Sequence, residues 1–136
     1  MGFYSSVEIS ASGLSAERLA MDVIANNIAN ANTTQTPQGG AFKRQLVVFA
    51  QKPTANASGQ GGVEVLGIVQ DQSPDRLVFD PGNPQADARG YVHYPNVSVV
   101  KEMVDLMAAS RAYEANVTAI QEARNMGQAT MGLLGS

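Results

Sequence analysis

The chain has no cysteine and no tryptophan, a single histidine, and only four tyrosines and four phenylalanines among 136 residues. Without cysteine there are no disulfides, no thiol catalysis and no thiolate metal sites. With so few aromatics, any core between strands is expected to be thin. No segment approaches the ~20 consecutive apolar residues that a membrane helix needs. The nine basic residues are scattered and the net charge is −3, so there is no electrostatic footprint of a nucleic-acid binder. The opening Met1-Gly2-Phe3-Tyr4 carries no basic region and no apolar core of a cleaved secretory signal, and a different route out of the cytoplasm is expected if the protein leaves it.

Catalytic signals are equally sparse. His93 has no partner nearby in sequence and is placed in a loop beside Tyr94 and Pro95, where a surface or packing role is expected. No pair of acids stands out as catalytic. Asp71, Asp75 and Asp80 lack the spacing of a calcium loop. Gly59-Gln60-Gly61-Gly62 lacks the Lys and Ser/Thr of a phosphate-binding loop. No cofactor, metal or small-molecule substrate is expected. Met103, Met107, Met126 and Met131 suit adaptable packing. Four Asn-X-Ser/Thr matches, at Asn32, Asn56, Asn96 and Asn116, are explained by composition.

What the chain has in abundance is helical rhythm at its two ends. Val7, Leu14, Met21 and Ile28 fall seven apart, with Ala11, Ile24 and Ala25 beside them. Val99, Met103, Leu106, Ser110, Tyr113, Val117, Ile120, Arg124, Gly127, Met131 and Leu134 follow steps of four and three. Each pattern draws one narrow stripe on one side of a helix, which suits a seam against other helices. Arg124 and Gly127 interrupt the second stripe; Arg124 is expected to snorkel or to pair with a neighbour's carboxylate. The first helix is expected over about residues 5–31, ending in the cluster Asn26, Asn27, Asn30 and Asn32, since Asn terminates helices well. Asn26 and Asn27 are candidates for hydrogen bonds across the seam that fix its register. The last helix is expected from about residue 98 to 132, with Asn96 as the preferred N-cap and Ser98 as the alternative.

Between the helices, residues 32–41 form a polar linker in which Pro37, Gly39 and Gly40 forbid helix. Strands are expected over 42–51, 63–70 and 76–79, with a flexible loop across 52–62. Asp80-Pro81-Gly82-Asn83-Pro84 is turn chemistry, and 85–94 is expected to be irregular or briefly extended. The fold class is thus mainly α with a small β insert. Its parts are an N-terminal helix (1–32), a β/loop middle (33–95) and a C-terminal helix (96–136), the helices packing as a coiled-coil-like bundle. The two helices would be roughly 40 and 50 Å long, too long for the middle to cover. Isolated helices are marginal in water, so the termini are expected to be poorly ordered in a free monomer and to fold on assembly; full helix content in the monomer by circular dichroism would overturn this.

The run Leu19-Ala20-Met21-Asp22-Val23-Ile24-Ala25-Asn26-Asn27-Ile28-Ala29-Asn30-Ala31-Asn32-Thr33 resembles the N-terminal signature of the flagellar axial rod and hook proteins. Leu77–Val92, Pro95–Val104 and Ala109–Asn116 are similar to the region before and within the last helix of the short proximal-rod members. The resemblance covers nearly the whole chain and is weakest over 33–41 and 53–62. It implies a structural, non-enzymatic subunit of the basal-body rod, exported unfolded by the flagellar type III machine without signal cleavage. It would span the periplasm as part of a helical tube that carries torque and conducts exported subunits. Implied partners are further copies, rod proteins of the FlgB, FlgF and FlgG types, a FliE-type adaptor and the export apparatus. Subunit packing would then fall to Val7, Leu14, Met21, Ile24, Asn27, Ile28, Val99, Met103, Leu106, Tyr113, Val117, Ile120, Met131 and Leu134. Two readings compete: another short rod protein of the FlgB type, and a soluble helical adaptor or secretion chaperone that binds reversibly without building a tube.

Overall fold

Alanine and serine are the commonest of the first thirty residues, and no proline and no long β-branched run opposes a helix there. The computed structural model, which describes residues 2–53 and 61–135, places helix α1 over Gly2–Ala29. The Asn cluster ends it. Asn30 donates both its backbone N–H (3.1 Å) and its side-chain amide (2.9 Å) to the carbonyl of Asn26. The chain then enters strands β1 (Gln45–Gln51), β2 (Val63–Gln70), β3 (Arg76–Phe79) and β4 (Tyr91–Tyr94), and closes with helix α2, Val99–Leu134. Ser98 is the N-cap of α2, its hydroxyl accepting from the Lys101 N–H at 3.4 Å. Asn96, the preferred candidate on sequence, is not the cap, because its side chain is occupied elsewhere. Of the loop across 52–62, residues 54–60, including Asn56, lie outside the described residues.

The helices form an antiparallel hairpin. A Cβ on Gly13 would sit 2.8 Å from the Asn116 amide nitrogen, and Asn27 hydrogen-bonds Glu102 at 3.3 Å. Both pairs sum to 129, so residue n of α1 lies level with residue 129 − n of α2. The helices approach this closely because the seam is built from small residues. Ala16 and Val23 are buried on α1, and Ala109 on α2. The heptad Val7, Leu14, Met21 and Ile28 is only half-buried, on the flank of that seam. On α2 the inward side holds Glu102 and Ala109, while Val99 and Met103 are exposed. Within the single chain the large apolar residues of both stripes therefore flank the contact between α1 and α2 or point away from it.

The insert consists of two separate two-stranded antiparallel sheets, β1–β2 and β3–β4. In β1–β2, Val48 pairs with Gly67 and Phe49 with Val65, so Leu66 is an extra, outward-bulging residue. Both β1 and β2 pack on α1, whereas β3 and β4 contact no other helix or strand among the described residues. Residues 91–94, expected to be at most briefly extended, are a strand paired with β3, with Val92 buried beneath. His93 is thus on a strand and not in a loop.

The foot of β2 is fastened to α1 at Gly62 and Val63. The Ser12 hydroxyl donates to the Ile9 carbonyl (2.7 Å) and accepts from the Val63 N–H (3.1 Å). Gly62 has φ +82°, and a Cβ there would lie 2.5 Å from that hydroxyl. Gly62→Ala combines a left-handed backbone with a clash against a short, doubly bonded side chain. It is expected to cost about 1–2 kcal/mol from the backbone alone, read as a lowered urea midpoint. Adding Ser12→Ala should recover part of the loss; if the double variant is worse than Gly62→Ala, the close approach is not the cause.

Candidate functional site

The polar groups that join helices to insert converge on one buried knot. Asn27 and Glu102, from α1 and α2, are 1% and 0% exposed. The Asn27 side chain pairs with the backbone of Gln45 like a short piece of strand: its amide donates to the Gln45 carbonyl at 2.9 Å, and its oxygen accepts from the Gln45 N–H at 2.9 Å. The same amide reaches Glu102 at 3.3 Å. Arg44, just before Gln45 in the chain, lays its guanidinium across the first turns of α2. Its Nε bonds Glu102, and its terminal nitrogens meet Asp71 at 3.2 Å and Asp105 at 3.5 Å. The Arg44 N–H donates to the Asn96 side chain at 2.7 Å, and the Asn96 amide donates to the carbonyls of Asp71 and Ser73, both at 3.0 Å. One cation and two amides therefore tie together α1, the start of β1, the β2–β3 connection and the start of α2.

Every member is satisfied, which is the condition under which a buried polar cluster specifies a structure and does not weaken it. Among the described residues no buried side-chain nitrogen or oxygen lacks a hydrogen-bond partner. Burial pulls the Arg44 pKa down, but the carboxylates of Glu102 and Asp71 outweigh it and hold the net value above the ordinary one. Asp71 is held below the ordinary carboxylate value, first by the Ser73 hydroxyl and N–H, at 2.6 and 2.9 Å, and then by Arg44.

A second, more exposed chain of polar contacts braces the β3–β4 hairpin. Lys43 bonds Asp75, and His93 lies between Asp75 (Nδ1, 3.4 Å) and Asp87 (Nε2, 3.0 Å). His93 thus has two carboxylate partners that its neighbours in sequence do not reveal. Asp87 accepts from the N–H groups of Tyr91 (3.0 Å) and Arg89 (2.8 Å). Its pKa is lowered, first by the Tyr91 N–H and then by His93. A carboxylate with a depressed folded pKa adds stability above its unfolded value, near ~3.9, and loses it as pH falls through the folded value. Amide exchange at Arg89 and Tyr91 is therefore expected to accelerate as pH drops below about 4, after correction for intrinsic rates. Asp87→Asn should flatten that dependence; an unchanged profile in the variant would assign it to another group.

No cluster of three or more His, Cys, Asp or Glu able to hold a metal is found among the described residues. The polar atoms of the knot are turned on one another, and the small cavity beside it, about 150 Å³, is lined mainly by Ala20, Val23, Ile24, Leu46, Val47 and Phe49. What remains available is apolar surface. Of the residues expected to pack between subunits, only Asn27 is buried. Val7, Leu14, Met21, Ile24, Ile28, Leu106, Tyr113, Val117 and Ile120 are half-buried, and Val99, Met103, Met131 and Leu134 are exposed. Val100, Val104, Met107, Met126 and Leu133 are exposed beside them on α2. Large apolar surface of this extent marks an interaction face.

Comparison with known proteins matches this architecture end by end. A family model described as "Flagella basal body rod protein" matches residues 8–35, and one described as "Flagellar basal body rod FlgEFG protein C-terminal" matches residues 88–133. The flagellar basal-body rod protein FlgC of Borreliella burgdorferi is 42% identical, the alignment covering 98% of this chain and 99% of the relative. FlgC of Escherichia coli O6:H1 is also 42% identical, over 98% of both chains. FlgC of Bacillus subtilis is 40% identical, over 93% of this chain and 94% of its own.

Proposed function

Because the chain belongs to the FlgC family of flagellar basal-body rod proteins, a structural and non-enzymatic subunit of the proximal rod, we propose that it assembles helically through α1 and α2 into the wall of a drive-shaft tube. Its place is the basal body, among other rod proteins. The observation that carries the mode of assembly is the α1–α2 hairpin, which buries small residues inside and leaves large apolar ones on its flanks and outer side. Contacts between unlike faces that do not close into a ring generate helical tubes, and close-packed helices make a stiff wall. Torque passes along that wall, and exported subunits pass inside it. The subunit-packing residues are those named from the sequence, with Asn27 removed to the interior of the subunit.

Around this core we assign neighbours of the FlgB, FlgF and FlgG types, a FliE-type adaptor and the export apparatus. The rod then crosses the periplasm, and the chain is exported unfolded without a cleaved signal. Knot residues far apart in sequence, such as Arg44 and Glu102, meet only in the folded subunit, so the insert would dock after export. The FlgB-type alternative is disfavoured by the near-complete alignment with FlgC proteins. Electron microscopy of basal bodies from a strain lacking this chain tests the proposal. Loss of rod and hook with the membrane ring retained, restored by complementation, is the expected result. Intact rods in the deletion strain would overturn it in favour of the adaptor reading.

A further inference from the structure

The chain has no cysteine and no tryptophan. With no thiol and no indole to react first, its methionine thioethers are the side chains most open to two-electron oxidants. Six methionines are present. Met1 lies outside the described residues, and Met21 is half-buried on α1. The other four are all on α2 and all exposed: Met103 51%, Met107 59%, Met126 68% and Met131 72%.

Their surroundings decide what oxidation does there. Met103 and Met107 are one turn apart and share a face with Val100 and Val104, in steps of three, one and three. Both valines are exposed as well, so the two sulfurs sit on an apolar stripe at the start of α2. Met126 and Met131 lie in a stretch, residues 125–136, that carries no charged side chain. A thioether is soft and apolar and packs well on irregular apolar surface. A sulfoxide is polar and chiral, and burying it without a hydrogen-bond donor is unfavourable.

We propose that Met103, Met107, Met126 and Met131 are modification sites at which a peroxide stops the subunit from joining the rod. This assignment rests on the rod reading above, which sets these faces of α2 against neighbours, and adds a chemical control of that step. At each site the thioether sulfur attacks one oxygen of hydrogen peroxide and the O–O bond breaks. That oxygen stays on sulfur as S=O, and the other leaves as water after proton transfer. Sulfur loses two electrons and the peroxide gains them. Methionine sulfoxide reductases reverse the change, so a stalled subunit is recoverable. The sensitive interval falls before neighbours cover α2, while the four sulfurs are exposed.

The parent chain and a Met103→Leu/Met107→Leu/Met126→Leu/Met131→Leu variant are induced in the deletion strain, with and without sublethal hydrogen peroxide. Leucine is close to methionine in volume and helix propensity but has no sulfur to oxidise. Rods are counted by electron microscopy, and each strain is read against its own peroxide-free count. Parent rods should fall at least about fivefold with peroxide, and the variant's less than about twofold. Equal falls in both strains would place the damage elsewhere and overturn the proposal while leaving the rod reading intact. The pairs Met103→Leu/Met107→Leu and Met126→Leu/Met131→Leu are tested in the same way, in case the fourfold change itself prevents assembly; no gain in resistance from either pair would overturn the proposal. A further measurement needs no variant: peptide mass spectrometry maps sulfoxide in parent chains within basal bodies and in those left unassembled. Sulfoxide at the four sites should be concentrated in the unassembled chains, and equal levels in both fractions would overturn the proposal, since modified subunits would then be joining. Rods that form without the chain would overturn the proposal and the rod reading together.

Discussion

Arg44→Met is expected to destabilise the protein by about 3–5 kcal/mol, the range for removing one partner of a buried ion pair. The size follows from what is left behind. Glu102 is 0% exposed, and without Arg44 its carboxylate keeps only the Asn27 amide at 3.3 Å. A charge in that position has neither water nor a counter-ion, and the energy of the substitution is mostly the cost of stranding it. Asp71 and Asp105 also lose a partner, but both are more exposed, so water replaces Arg44 at little cost. The double variant Arg44→Met/Glu102→Leu removes the stranded charge and should recover most of the loss, as apolar replacement of both partners often does. Urea unfolding followed by circular dichroism separates the cases. A single-variant loss below about 1 kcal/mol would mean that the pair behaves as a solvent-exposed one. A double variant no better than the single would mean that Arg44 acts through its other contacts.

The elements of this fold are legible in the sequence, and their faces are not. Both helices and the strands at 63–70 and 76–79 follow from period and from the Pro and Gly residues between them, signals that span a few residues. The heptad Val7, Leu14, Met21 and Ile28 marks a real helix, and its residues lie half-buried on the flank of the seam between α1 and α2. In a close two-helix seam the small residues go inside: Ala16, Val23 and Ala109 are buried, and Gly13 lies against Asn116. Hydrophobicity alone ranks those positions below the large residues on the flank. The series Ala16, Ala20, Val23, Asn27 and Ala31, in steps of four and three, is the signal that could have revealed the contact. The knot had no such signal. Arg44 is 58 residues from Glu102, and Asn96 is 52 from Arg44, so no local pattern records the pairing. Asn96 has good N-cap chemistry, but three hydrogen bonds to Arg44, Asp71 and Ser73 outcompete one cap bond, and Ser98 takes that role.

Asn27→Leu should lower stability by an amount on the order of 3 kcal/mol while leaving the helices intact. Leucine is at least as good a helix former as asparagine, so α1 gains a few tenths of a kcal/mol locally. The loss comes from Gln45, whose N–H and carbonyl are both bonded by Asn27. Gln45 is half-buried, so each of its two groups left unpaired costs toward the lower end of the about 1–3 kcal/mol of a fully buried one. Glu102 also loses a donor, and leucine offers none. The damage is thus placed at the joint between α1 and β1. Amide exchange should accelerate at Gln45 and along β1, helix content should hold, and the variant should enter rods poorly because the insert is no longer fixed to the helical wall. The alternative role for Asn27, a register-setting hydrogen bond across a seam between subunits, makes the opposite prediction for the isolated chain. If Asn27 served assembly alone, the monomer's urea midpoint and the Gln45 exchange rate would match those of the parent. Because Asn27 is 1% exposed within a single subunit, a normal monomer and a failed rod are not the expected pair of results, and observing them would mean that the knot opens before subunits join.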